Sequence, residues 1–193
     1  TVTVTINPAP NAGSDGSTIL CTTSPSIDLF TLLGNNPETG GTWTPPLTSG
    51  TGLFNPAVDT AGVYTYTIAG TPPCLDSTAS VTVTINPSPN PGTAGALAFC
   101  DNGTPQDLFT ALGGTPDAGG TWTPPLTSGT GLFNPLTDLA GIYTYTVNGT
   151  PPCTPESTTV TVTINPAPNA GSDGSIILCT TSPSIDLFTL LGN

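Results

Sequence analysis

Four residue types are absent from the sequence, and each absence excludes a kind of chemistry. The 193 residues include no lysine, arginine, histidine or methionine. Without lysine or arginine the chain cannot neutralise nucleic-acid phosphates, so nucleic acid is not expected as a partner. Without histidine it has no Ser-His-Asp triad and no His-bearing zinc site. We therefore predict that the protein is not an enzyme and that it requires no cofactor.

Long apolar runs are missing as well. No stretch approaches the roughly 18 apolar residues that a membrane-spanning helix needs, so membrane insertion is not expected. Twelve carboxylates give a formal net charge of −12, and no basic side chain is present to pair with them. Stability must therefore come from apolar packing, backbone hydrogen bonds and disulfides.

Glycine and proline are abundant, with 23 of each, and they separate alternating runs of Val, Thr, Tyr and Ile. This pattern is typical of a β-protein with many turns. The predicted strands of the first repeat are residues 17–21, 27–30 (strand or helical turn), 41–44, 51–54, 63–68 and 80–85. About seven short strands in roughly 80 residues favour a small antiparallel sandwich.

The sequence repeats itself every 79 residues. The stretch GGTWTPPLTSGTGLFNP stands at 40–56 and again at 119–135, and Ile6, Ile85 and Ile164 keep the same spacing. The predicted domains are therefore residues 9–87 and 88–166, each one repeat. Residues 1–8 are predicted to be the last strand of a preceding repeat, and residues 167–193 the N-terminal part of a truncated third repeat.

Asp59, followed by Ala-Gly and then Tyr64 at a strand start, resembles the tyrosine corner of immunoglobulin-like domains. The predicted fold is all-β, with tandem immunoglobulin-like antiparallel β-sandwiches. Its predicted core aromatics are Trp43, Trp122, Tyr64 and Tyr143, because Trp is the largest packing contribution available. The alternative for the two tryptophans is a sugar-stacking role at the surface.

The cysteine spacing predicts one disulfide per repeat. The predicted pairs are Cys21–Cys74 and Cys100–Cys153, with Cys179 unpaired. Each bridge would close a loop of about 54 residues and contribute roughly 4 kcal/mol in the chain-entropy treatment. Free buried thiols are the alternative. Paired cysteines would indicate an extracellular or cell-surface location.

Several phrases, among them NAGSDG, SIDLFTLLG, AGVYTYTIAGTPPC and STASVTVTINP, resemble repeats of very large Bacteroidota surface proteins. Those proteins are similar to gliding-motility adhesins and are exported by type IX secretion. The resemblance implies a cell-surface, adhesive or stalk-forming protein. Asp59-Thr60-Ala61 and Asp76-Ser77-Thr78 also resemble the O-glycosylation acceptor motif of that phylum, which makes Thr60 and Ser77 candidate glycosylation sites.

Asp15 and Asp173 lie in Gly-Ser-Asp-Gly-Ser loops beside proline-rich joints. Loop oxygens are suitable ligands for calcium, so a calcium clamp between repeats is one reading. A turn-capping role for both residues is the preferred one.

The preferred function is a structural or adhesive extracellular protein that forms an elongated stalk, rod or filament on the bacterial surface. Two prolines within the joint Asn7-Pro8-Ala9-Pro10-Asn11 favour a stiff connection. The expected partners are neighbouring repeats and identical chains in a filament. The alternative function is an array of carbohydrate-binding modules with exposed aromatic side chains.

Overall fold

The computed structural model describes residues 1–192, and its regular structure is almost entirely β. The strands of the first repeat are β1 (Gly16–Cys21), β2 (Ile27–Asp28), β3 (Thr42–Thr44), β4 (Leu53–Phe54), β5 (Gly62–Ile68) and β6 (Ser77–Asn86). Those of the second are β7 (Gly95–Cys100), β8 (Gln106–Asp107), β9 (Thr121–Thr123), β10 (Leu132–Phe133), β11 (Gly141–Val147) and β12 (Glu156–Asn165). Short 3₁₀ turns occupy Leu29–Leu32, Leu108–Ala111 and Leu187–Leu190.

Each repeat forms one four-stranded and one two-stranded sheet. The first repeat has the order β1-β6-β5-β3 and a separate β2–β4 pair; the second has β7-β12-β11-β9 and β8–β10. Strands β3, β5 and β6 take the order of the C, F and G strands of an immunoglobulin domain, while β2 and β4 match its paired B and E strands. The fold is therefore a tandem of immunoglobulin-like β-sandwiches.

The first strand joins the larger sheet in parallel to the last one. Gly16 of β1 lies opposite Val81 and Cys21 lies opposite Asn86, whereas β5 runs antiparallel to β6. In the second repeat Gly95 lies opposite Val160 and Cys100 opposite Asn165. This parallel pairing joins segments 65 residues apart, and it determines where the cysteines lie.

The core of the first repeat follows from the alternation of its two long strands. Tyr64, Tyr66 and Ile68 of β5 are buried, and β6 buries alternate residues in the same way. Phe54 from the smaller sheet is fully buried and packs edge-on against Tyr64, with 5.5 Å between ring centroids. Successive strand residues face opposite sides of a sheet, so the intervening threonines of β5 and β6 face away from this core.

The described residues group into two compact units. The first comprises Thr1–Thr93, Gly114–Thr121 and Tyr145–Thr158. The second comprises Ala94–Gly113, Trp122–Thr144 and the residues from Thr159 onward. This grouping does not follow the 79-residue period, and the domain boundaries drawn from the repeats stay predictions.

Two segments with strand sequences form no strand here. Residues 1–8 were expected to be a strand but have no ladder partner, and Val2 is 92% exposed. Residues 174–179 match β1 in sequence but are also irregular, with Ile177 99% exposed. A strand needs a partner for its backbone groups. Strand β1 finds its partner 65 residues further on, and residues 174–179 have none at that distance in this sequence.

Candidate functional sites

A tyrosine corner anchors each larger sheet. The Tyr64 hydroxyl donates a hydrogen bond of 2.7 Å to the carbonyl oxygen of Thr60, and Tyr143 donates one of the same length to Leu139. Both tyrosine side chains are buried. A tyrosine bonded to the backbone just upstream is a hallmark of the immunoglobulin-like sandwich.

A buried carboxylate supports each corner. One oxygen of Asp59 accepts from the backbone N–H of Thr48 and the other from that of Asn55, both at 2.8 Å, and the Thr48 hydroxyl adds a third bond. Burial by itself would raise the pKa of the Asp59 carboxyl, but these hydrogen bonds outweigh it and hold the pKa below its usual value. The same balance lowers the pKa of Asp138.

The phenol of each corner responds to that carboxylate. Burial, followed by the negative charge of Asp59, raises the pKa of Tyr64 above its usual value. Burial and Asp138 act in the same way on the pKa of Tyr143. Neutral phenols and charged carboxylates at neutral pH suit the hydrogen bonds described above, so these groups hold turns together.

The two tryptophans do not lie at the centre of the core, and this part of the prediction is wrong. Trp43 and Trp122 are half-buried, whereas Phe54 and Leu29 are fully buried. The reason is their position, because β3 and β9 are the edge strands of the larger sheets. An edge strand has a neighbour on one side only. The Trp43 indole packs against Tyr66, with 5.1 Å between ring centroids.

A groove of about 440 Å³ opens beside Trp43. Its lining includes Asp28, Phe30 and Tyr66, together with glycine-rich backbone at residues 40–41 and 50–52. The Tyr66 hydroxyl accepts from the N–H of Gly41 at 2.8 Å and donates to the carbonyl of Glu38 at 2.9 Å. The groove thus combines aromatic faces, one carboxylate and exposed backbone.

The glycines of the repeated stretch are explained by this groove. A β-carbon on Gly41 would lie 2.5 Å from the Tyr66 ring, and one on Gly52 would lie 2.9 Å from both Asp28 Oδ1 and Trp43 Nε1. No side chain fits at either position without movement of these groups. In the second copy a β-carbon on Gly131 would meet Asp107 and Trp122 in the same way.

The predicted disulfides are corrected by the structure. The bridge joins Cys21 to Cys153, 132 residues apart in sequence, so it links the first repeat to the second. Neither predicted pair, Cys21–Cys74 or Cys100–Cys153, is formed. Cys74 is half-buried and carries a free thiol, while Cys100 and Cys179 are exposed and free.

Strand geometry explains why the predicted pairs are wrong. Cys21 lies opposite Asn86 at the end of β6, whereas Cys74 precedes the start of that strand at Ser77. Nine steps along a strand separate the two ends by roughly 30 Å. A disulfide requires its α-carbons to lie within about 7 Å. The same argument separates Cys100, opposite the end of β12, from Cys153, which precedes β12.

Hydrogen bonds surround the bridge that does form. The Asn86 side-chain amide donates to the carbonyl of Pro151 at 2.7 Å, and Cys153 Sγ lies 3.5 Å from the carbonyl oxygen of Asn86. The N–H of Thr22 donates to that same carbonyl at 3.0 Å, and the Thr22 hydroxyl accepts from the N–H of Ser88. The joint between repeats is therefore fixed by one covalent bond and several polar contacts.

The acidic loop residues have structural partners. Asp15 Oδ1 accepts from the N–H of Ser80 at 2.7 Å, which ties its loop to β6. Asp173 is exposed. Asp28 and Asp107 cap the 3₁₀ turns by accepting from Phe30 and Phe109. Among residues 1–192 no group of three His, Cys, Asp or Glu side chains is arranged to hold a metal ion.

The two candidate glycosylation sites differ in access. Thr60 is exposed, and its carbonyl accepts the tyrosine-corner bond. Ser77 is half-buried, and its hydroxyl accepts from the N–H of Ala12 at 3.0 Å. Glycosylation of either residue stays a prediction, and Thr60 is the more accessible of the two. No helix in the described part of the chain is long and apolar enough to cross a membrane.

Comparisons with known proteins give similarity in solved structures alone. No family model matches the chain, and no curated protein matches it. A three-domain immunoglobulin fragment of titin is similar at 13% identity and a TM-score of 0.40, covering 79% of this chain and 64% of the fragment. The N-terminal four immunoglobulin domains of Dscam1 are similar at 13% identity and 0.38, covering 83% and 45%. Extracellular domains 3–5 of Drosophila OTK follow at 14% and 0.30, covering 87% and 69%.

The chain thus spans under two thirds of the titin and Dscam1 fragments that it resembles. At these identities the similarities add nothing to the fold beyond what sheet order and the tyrosine corners establish. The class that fold and joint define is a tandem immunoglobulin-like repeat protein with a disulfide between its repeats.

Proposed function

We propose that this protein is a structural or adhesive extracellular repeat protein, forming an elongated stalk, rod or filament on a bacterial surface. The observation that carries the proposal is the Cys21–Cys153 bridge, which joins successive repeats rather than closing one of them. A disulfide between repeats constrains their connection. That property serves a spacer, whereas a freely jointed string of modules would not need it.

The other features support the same role. A structural disulfide favours an oxidising environment outside the cytoplasm. The net charge of −12, with no basic side chain, keeps neighbouring chains soluble and apart. The buried carboxylates Asp59 and Asp138 are engaged by backbone N–H groups, so they act as structural anchors.

Small-angle scattering of the oxidised monomer tests the proposal. A compact chain of this length would have a radius of gyration of roughly 16 Å. We expect a clearly larger value and an elongated distance distribution, and we expect the Cys21→Ser variant to show a broader distribution. A value near that of a compact sphere for the oxidised protein would refute the spacer function.

One observation favours a second candidate function, carbohydrate binding. The half-buried indole of Trp43 lines an open groove with Tyr66 and the Asp28 carboxylate. Sugar sites combine aromatic faces with a few polar groups in this way. Titration of a Trp122→Phe variant with polysaccharides would use Trp43 as the sole indole reporter. A saturable fluorescence change that Asp28→Ala abolishes would support binding, and no change across a glycan panel would exclude it.

A further inference from the structure

The surroundings of Cys74 reproduce the disulfide joint one repeat earlier. At the bridge, Asn86 donates to the carbonyl of Pro151, and Cys153 Sγ lies 3.5 Å from the Asn86 carbonyl oxygen. At Cys74, the Asn7 side chain donates to the carbonyl of Pro72 at 3.1 Å. Cys74 Sγ then lies 3.6 Å from the Asn7 carbonyl oxygen. The two settings share the same residue types and contacts.

The bridge has one further component, a strand that ends in cysteine. Cys21 reaches Cys153 because β1 runs parallel to β6 and stops opposite Asn86. The position equivalent to Asn86 at the earlier joint is Asn7. A β1-type strand paired with residues 2–7 would therefore deliver its terminal thiol to Cys74.

Residues 2–7 have the sequence of a strand that accepts such a partner. They are identical to residues 160–165 of β12, which pair in parallel with β7. In β12 the two valines are fully or almost fully buried, whereas Val2 and Val4 are 92% and 79% exposed. The exposed apolar side chains at residues 2–7 are thus those that a sheet covers elsewhere in the chain.

The chain also contains a β1-type strand without a partner. Residues 174–179 read GSIILC, against GSTILC in β1, and they form no ladder. Ile177 is 99% exposed, and Cys179 carries an exposed free thiol. Both segments are present in one chain and do not pair with each other there, so the pairing requires a second copy.

We infer that residues 174–179 of one copy pair in parallel with residues 2–7 of another, and that Cys179 then forms a disulfide with Cys74. By the register of β1 and β6, Gly174 would lie opposite Val2 and Cys179 opposite Asn7. The contact uses different surfaces on the two copies, so it does not close on itself and propagates as a linear polymer. This inference specifies the partner and bond for the filament under the proposed function, and it rests on that proposal.

The chemistry balances through thiol–disulfide exchange with a small-molecule disulfide. The Cys179 thiolate attacks that disulfide and releases one small thiol, forming a mixed disulfide. The Cys74 thiolate then attacks the Cys179 sulfur and releases the second small thiol. The two cysteines lose two electrons and two protons in total, and the small disulfide is reduced to two thiols.

The test uses equal amounts of ¹⁴N- and ¹⁵N-labelled chain, combined under reducing conditions and then oxidised with glutathione. After alkylation, pepsin is the suitable protease, because the chain has no lysine or arginine for trypsin and low pH stops exchange. We expect a ladder on non-reducing gels and a Cys74–Cys179 peptide that is mixed-isotope in about half of its copies, the statistical value for random pairing between copies.

Matched variants separate this bond from random oxidation. Cys74→Ser and Cys179→Ser should each abolish the ladder, while Cys100→Ser should retain it. Val4→Asp should reduce the yield at least several-fold, because it places a charge on the strand face that pairing covers. The Cys21–Cys153 peptide in each digest reports that the variant has folded.

Three outcomes would overturn the inference. They are Cys74 alkylated while Cys21–Cys153 is intact, a Cys74–Cys179 peptide without mixed isotopes, or a ladder that survives Cys74→Ser. An elongated monomer without the ladder would leave the spacer function standing and remove this contact. A compact monomer would refute the spacer function whatever the gel shows.

Discussion

The disulfide between repeats makes a prediction that the alternative pairing does not share. Cys153→Ser removes the bridge to Cys21, which closes a loop spanning 132 positions. For a loop of that length the chain-entropy treatment gives roughly 5 kcal/mol of stabilisation. We expect the melting temperature to fall by about 10–20 °C, given roughly 2–4 °C per kcal/mol in a chain of this size.

Cys74→Ser is the matched control, because Cys74 and Cys153 follow the same Thr-Pro-Pro sequence. Its thiol is free, so the loss of stability should be below about 1 kcal/mol, typical of a substitution that creates no large defect. If the disulfides lay within repeats, both variants would break a loop of about 54 residues, and each would cost roughly 4 kcal/mol. Equal destabilisation of the two variants would refute our assignment.

Alkylation of the unfolded monomer gives an independent readout. The structure predicts three reactive cysteines in the wild type, at Cys74, Cys100 and Cys179, and four in Cys153→Ser. Pairing within repeats predicts one in the wild type and two in that variant. Mass spectrometry of the intact chain, on the monomer fraction from size exclusion, distinguishes these counts directly.

Three further predictions concern the tyrosine corner and the groove. Tyr64→Phe removes one buried hydrogen bond and should cost about 1 kcal/mol in urea unfolding; an unchanged midpoint would contradict this. The folded pKa of Asp59 lies below its unfolded value of about 3.9, so its contribution is complete above that pH and is lost as pH falls through the folded pKa. Asp59→Asn should therefore flatten the acid loss of stability, and a parallel acid profile would argue against this role. Gly41→Ala brings a methyl group against the Tyr66 ring and should cost about 1–3 kcal/mol, while exposed Thr42→Ala should cost less than about 0.5 kcal/mol.

Local pattern predicted the strands well where both of their determinants are local. Alternation identified β5 and β6, since each residue's side of the sheet is set by its neighbours in sequence. The Asp-Ala-Gly-Tyr pattern likewise located the corner at Tyr64, because the bond to Thr60 spans only four residues. Asp28 was readable as a cap for the same reason.

The long-range features could not be read in this way. Cysteine spacing favoured Cys21–Cys74, but the pairing depends on β1 lying parallel to β6, which puts the two residues at opposite ends of one strand. Spacing along a repeat contains no information about strand direction. A usable signal did exist, since Cys21 ends a strand and Cys74 precedes one. The position of Trp43 failed similarly, because nothing local marks β3 as an edge strand.

The covalent link from Cys21 to Cys153 also decides how the protein would respond to tension along its backbone. Force entering near the amino end passes from Cys21 through the sulfur atoms to Cys153, and the residues between them are shielded from extension. Reduction would release these 132 positions, a contour length of about 450 Å at roughly 3.4 Å per residue. The oxidised protein is thus nearly inextensible across its first repeat and much of its second, and its reach under force is set by redox chemistry.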